Sequence, residues 1–201
     1  MKLFASLGLA MLLVSGVAHA DIQTKGPEEW PGNITFSARP LGVQLNFNSV
    51  AGNTLTTSVT DAFASYKLGL DVAGIIARFP KVTLWLGGEL NIGGREYLAI
   101  LEPGVFVQIT LEKMLTIPLV PIIKAGISGP LYALYGFPGA AAGGAFDLKF
   151  GAGIYYFLTK HIGLGAETSF AFGPGFIKNG GATVVGFSGF WDFTSGIRFA
   201  F

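Results

Sequence analysis

Apolar side chains recur at every second position through much of this chain. A two-residue period marks a strand with one apolar and one polar face. Seven stretches carry it well. In residues 82–92, Val82, Leu84, Leu86, Leu90 and Ile92 share one face, and Thr83, Trp85, Gly87, Glu89 and Asn91 share the other. In 97–111, apolar odd positions oppose Glu102, Gly104, Gln108 and Thr110. In 146–158, Phe146, Leu148, Phe150, Ile154 and Leu158 oppose Asp147, Lys149, Gly151 and Gly153. Residues 162–170 set Ile162, Leu164 and Phe170 against Glu167 and Ser169, and 185–201 set Val185, Phe187, Trp191 and Phe193 against Ser188, Asp192 and Arg198. Residues 66–72 place Lys67, Gly69 and Asp71 on the polar face, and 41–47 place Gly42, Gln44 and Asn46 there. A weaker eighth stretch, 117–127, sets Ile123, Ala125 and Ile127 against Lys124 and Gly126, with Pro118 and Pro121 interrupting it.

These runs of about 9–15 residues exceed the usual five or six and reach the length that a tilted strand needs to cross a bilayer. A soluble sandwich would bury the apolar face and send Lys and Glu outward. Here the apolar face is large and the polar face mixes scarce charge with glycine, which suits a narrow lumen. In hydrocarbon every backbone group must be bonded within the protein, so strands cross only as a closed barrel. The connections agree. Short turns are expected at 78–81, 113–116 and 159–161, with loops at 48–64, 93–96, 129–145 and 171–183 on the other side. Short periplasmic turns alternating with longer outer loops are the outer-membrane arrangement. The fold class is therefore all-β, a closed antiparallel transmembrane barrel of eight strands, or ten if the first or third loop hides a hairpin.

Composition sharpens this picture. Of 201 residues, 51% are apolar and only 12% charged, with 30 glycines and no cysteine. The apolar and aromatic content excludes disorder. The missing cysteine excludes a disulfide scaffold and thiolate metal centres. A formal charge of +1 with no basic run argues against nucleic acid. The longest uncharged stretch, 125–146, is broken by six glycines and two prolines, so it reads as a strand end and loop rather than a membrane helix. At the amino end, Lys2, an apolar run at 3–14 and Ala18-His19-Ala20 make a secretory signal with cleavage after Ala20. The run is too short for a spanning helix. The expected organisation is a signal peptide at 1–20, a polar periplasmic leader at 21–33 with Trp30 as an interfacial anchor, and the barrel at 34–201. The processed chain then carries 12 basic and 12 acidic residues.

The segment FWDFTSGIRFAF, residues 190–201, resembles the terminal signal of bacterial outer-membrane barrels, with Phe193, Ile197, Phe199 and Phe201 on its alternate positions and Ser195 departing from it. The segment YYFLTKHIGLGAE, residues 155–167, is similar to the strand–tight turn–strand unit of small OmpA- or OmpX-like barrels. The resemblance implies export, recognition by the barrel assembly machinery and outer-membrane lipid as the surrounding partner. It identifies no ligand.

Candidate chemistry is sparse. His161 is the one histidine after the signal and falls in an expected periplasmic turn, whereas outer-membrane enzymes resemble one another in placing His near the outer rim. No catalytic residue, metal site or cofactor is expected. Inward charges come next: Lys67, Asp71, Glu89, Lys124, Lys149, Glu167, Asp192 and Arg198, of which Asp71, Glu89, Lys124, Lys149 and Glu167 fall at broadly similar heights. An eight-stranded lumen is filled by side chains, and unpaired buried charge is costly. A salt-bridged plug is the first reading and a proton or ion path the second. The apolar loop at 129–145 carries Tyr132, Tyr135 and Phe137, which would suit the membrane interface, a hydrophobic ligand or a protein partner. The function expected is a small non-enzymatic barrel with a structural or surface-interaction role. The alternative is a narrow pore or a carrier of small hydrophobic molecules.

Overall fold

A computed structural model describes residues 33–50, 61–96, 98–111, 115, 117–134, 141–179 and 182–201. The expected signal peptide, the leader up to residue 32, Tyr135 and Phe137 lie outside them. Ten strand segments follow one another: β1 (Ile34–Val50), β2 (Asp61–Arg78), β3 (Thr83–Arg95), β4 (Leu98–Thr110), β5 (Leu119–Ser128), β6 (Leu131–Leu134), β7 (Ala141–Ala145), β8 (Asp147–Phe157), β9 (Ile162–Asn179) and β10 (Ala182–Ala200). All pairings are antiparallel.

The ten segments make eight staves. β5 and β6 both pair with β4 in one unbroken register, from Thr110↔Ile122 to Leu98↔Leu134. β7 and β8 continue each other in the same way along β9. The ring closes because β10 pairs with β9 on one side and with β1 on the other. Ile34 and Phe201 exchange backbone hydrogen bonds at that seam, at 3.1 and 2.9 Å. A closed sheet has no unpaired edge, the condition for strands in lipid.

The outside is apolar and the inside polar. Leu41, Leu86, Val105 and Val185 face outward and are exposed, whereas Lys67, Asp71, Glu102 and Arg198 are buried. Trp191 is 44% exposed on the wall and Trp85 is 0% exposed in the interior. Alternation along each strand therefore separates a hydrocarbon-facing surface from a packed lumen.

The ladder runs further than the apolar alternation suggested. Segments 131–134 and 141–145, expected as loop, form a strand hairpin, and β9 and β10 extend through most of 171–183. Backbone pairing needs no polar alternation, and glycines there allow close approach. A Cβ on Gly173 would sit 1.9 Å from the Phe146 carbonyl oxygen.

Two irregularities matter for the interior. In β1 the register with β10 shifts between Ala38 and Leu41, so Arg39 and Pro40 together oppose Gly196. This is a β-bulge, a place that tolerates proline's missing N–H. Gly196 is required there, since a Cβ would lie 2.1 Å from the Ala38 carbonyl oxygen. The extra residue reverses the phase of β1. Thr35, Ser37 and Arg39 point inward before the bulge, and Gln44 and Asn46 after it.

The second irregularity is a line of prolines. Gly129 N–H donates to the Pro103 carbonyl (2.8 Å), Ala145 N–H to Pro130 (2.9 Å) and Phe146 N–H to Pro174 (3.0 Å). A hydrogen-bonded antiparallel pair normally exchanges two bonds. Proline has no N–H to return, so each of these pairs keeps one. The three pairs step across three consecutive seams, from β4 to β9, one residue at a time.

Candidate functional site

The lumen is stacked in layers. Next to the short turns, Ala73, Trp85, Phe106, Val120, Ile122, Tyr155, Phe157 and Ala200 form a buried apolar cluster. The Trp85 indole N–H donates to Thr110 Oγ1 at 2.9 Å, which satisfies its one polar atom.

Ion pairs lie above this cluster. Arg39 reaches Glu167 (2.7 Å), Asp71 (3.3 Å) and Glu89 (3.4 Å). Lys124 reaches Glu167 (2.8 Å) and Asp71 (3.1 Å). Arg198 lies 3.4 Å from Glu167 and 3.8 Å from Asp71, and donates to Ser37 and Gln108. The Tyr155 hydroxyl donates to Glu167 at 2.5 Å. In the next layer Lys149 pairs with Glu89 (2.5 Å) and Glu102 (2.8 Å), and Lys67 pairs with Glu102 (2.7 Å) and Asp192. Glu89 touches both layers. Cation–π contacts add to the packing: Lys124 over Phe106, Arg198 over Tyr155, and Lys67 over Phe190.

All eight charges singled out from the sequence are in this network, and Arg39 and Glu102 join them. Arg39 sits just before the alternating run in β1, in the phase that the bulge reverses. Glu102 lay on a polar face that is otherwise neutral. Glycine makes room for the long side chains: a Cβ on Gly69 would lie 2.9 Å from Arg39 Nε. Five cations meet five carboxylates, so the charges cancel. The space left between Arg39, Glu89, Lys124, Lys149 and Glu167 is about 20 Å3, room for one water.

Tyr132 points into the lumen from β6, its hydroxyl 2.8 Å from Ser188 Oγ. Phe193 and Phe201 face outward. Phe199 stacks between Phe36 and Phe201, with ring centroids 6.3 and 6.4 Å away, and Ile197 pairs with Ala38 beside the bulge. His161 sits in the turn before β9, its Nδ1 2.8 Å from the Ala200 carbonyl oxygen. Among the described residues no group of three or more His, Cys, Asp or Glu side chains could hold a metal.

A closed eight-stave antiparallel barrel, apolar outside and ion-paired within, defines the architecture of small bacterial outer-membrane proteins. Solved structures of that class are similar to this chain. The outer membrane protein OprG from Pseudomonas aeruginosa is 13% identical, with a TM-score of 0.56 over 90% of this chain and 99% of that one. Neisserial surface protein A is 11% identical, with a TM-score of 0.55 over 84% and 97%. The outer membrane protein AlkL, solved in lipid bilayers, is 11% identical, with a TM-score of 0.52 over 90% and 95%. The likeness is one of fold. No protein-family model and no curated protein sequence matches the chain.

Proposed function

We propose that this protein is a non-enzymatic barrel of the bacterial outer membrane with a structural or surface-interaction role. The observation that carries this reading is the filled lumen. Every cation in the network has a carboxylate partner, and an apolar cluster lies beneath it. Solute flow would require those pairs to break in a medium that screens them poorly. Planar-bilayer recording tests it: no steady conductance is expected from the purified barrel, and discrete channels would overturn the reading. His161→Ala should leave membrane lipid composition unchanged. We also propose export with cleavage after Ala20, then assembly through Phe193, Ile197, Phe199 and Phe201. The mass of the processed chain, beginning at Asp21, tests the first step. Slowed membrane insertion of a Phe199→Ser variant tests the second.

A second reading has its own support. The proline line from Pro103 to Pro174 weakens three seams just above the plug, beside the inward Tyr132. A small hydrophobic molecule could leave the upper lumen there, through the wall into lipid, without crossing the ion pairs. Uptake of an apolar probe into cells with and without the protein distinguishes this carrier role. Uptake that falls when Pro103, Pro130 and Pro174 are all changed to alanine would favour it.

A further inference from the structure

The ion-pair network uses every cation that the described lumen contains, yet one buried carboxylate remains. Asp147 is 0% exposed and makes no ion pair among the described residues. The nearest ammonium on its own strand, Lys149, is held by Glu89 and Glu102. Asp147 Oδ2 accepts a hydrogen bond from Ser188 Oγ at 3.3 Å, and Oδ1 has no partner. Ser128, paired with Asp147 across β5 and β8, is 3% exposed, and its Oγ is also unpartnered. The Tyr132 hydroxyl completes the group, 2.8 Å from Ser188 Oγ.

We propose that Asp147, Ser128, Ser188 and Tyr132 form a binding site for one small monovalent cation, either an alkali metal ion or a primary ammonium group. Three arguments converge. An unpaired buried carboxylate is expensive, and a single positive charge brings the described residues of the lumen to neutrality, whereas a divalent ion would overshoot. All the candidate ligands are hard oxygens, which hard cations prefer. Asp147 Oδ1 and Ser128 Oγ are neighbours in register, yet they make no hydrogen bond to each other. Each oxygen is thereby left to coordinate a further group. The plug closes the lumen beneath, so the cation arrives from the side of the β6–β7 hairpin. The site stands whether the barrel is structural or a carrier.

Thermal unfolding of the full barrel in detergent tests this, at matched ionic strength in sodium, potassium, methylammonium or tetraethylammonium chloride. The unfolding midpoint is expected to rise saturably with at least one of the three small cations. The responsive arm separates a metal ion from an amine. Tetraethylammonium, whose four ethyl groups keep its charge away from any oxygen ligand and which has no N–H, should give only the common effect of salt. Asp147→Asn should abolish the specific rise and, with no small cation present, unfold no earlier than the parent. Ser128→Ala removes one neutral ligand and should raise the half-saturating concentration about 3–10-fold; it serves alone if Asp147→Asn does not fold. An equal response to all four salts, a specific rise that survives Asp147→Asn, or a half-saturating concentration unmoved by Ser128→Ala overturns the proposal.

Discussion

Glu89 joins the two layers of the lumen, taking Arg39 from one side and Lys149 from the other. Removing it takes one carboxylate from two buried cations at once and leaves the network with one positive charge in excess. Breaking a buried pair from one side costs about 3–5 kcal/mol, mostly from the partner left uncompensated. Glu89→Leu should therefore lower the unfolding free energy of the barrel, read from a urea titration, by an amount towards the low end of that range, since both cations keep other partners. Adding Lys149→Met should recover part of the loss, because the second change removes the excess positive charge and leaves Glu102 its pair with Lys67. A double-mutant cycle reads this coupling directly, and additive losses would argue against it. At this scale the sequence was informative where the phase of a strand was unbroken. Lys67, Asp71, Glu89, Lys124, Lys149, Glu167, Asp192 and Arg198 all fall on polar faces of alternating runs. Arg39 does not, because one extra residue in β1 places it opposite in phase to Gln44 and Asn46.

Among the elements, the bulge and the proline line set local behaviour. Gly196→Leu should prevent β10 from docking on β1, since the added side chain begins where the Ala38 carbonyl already lies. Loss of the heat-modifiable shift of folded barrel on a gel would report this. Pro174→Ala restores an N–H opposite the Phe146 carbonyl. One regained hydrogen bond is worth about 0.5–1.5 kcal/mol, partly offset by the freer unfolded chain. Slower amide exchange around Phe146 and Ala145 is the expected sign. The apolar strands were legible, and so were the turns expected at 78–81 and 159–161, the first of which the structure places one residue later, between Arg78 and Thr83. The outer ends of the staves were not. Residues 131–134, 141–145 and 171–179 are built largely from Gly, Ala, Pro and apolar residues with little polar alternation. Their pairing comes from backbone bonds and from close approach at positions such as Gly173, for which a period of two gives no signal.

For the molecule as a whole, the inversion of polarity is the decisive property. Trp191 projects from the wall and Trp85 lies inside it. In vesicles containing brominated lipid, Trp191→Phe should remove a quenchable component of the fluorescence, whereas Trp85→Phe should leave it in place. Equal effects would deny that the apolar face meets acyl chains. Recovery of a folded, detergent-free monomer in water would deny it more broadly. The sequence displayed this inversion because scarce charge, abundant glycine and long apolar faces occur together. It could not show that the charges cancel five against five, since that depends on which staves are neighbours.

The seam between β1 and β10 carries a cost in time. The strands that must meet there are the first and the last of the described chain, and contacts so distant in sequence form slowly. Until they meet, six apolar-faced staves wait between two open edges, each able to recruit a strand from another molecule. A nascent chain of this design therefore has to be escorted through water and delivered to lipid before its circle is complete.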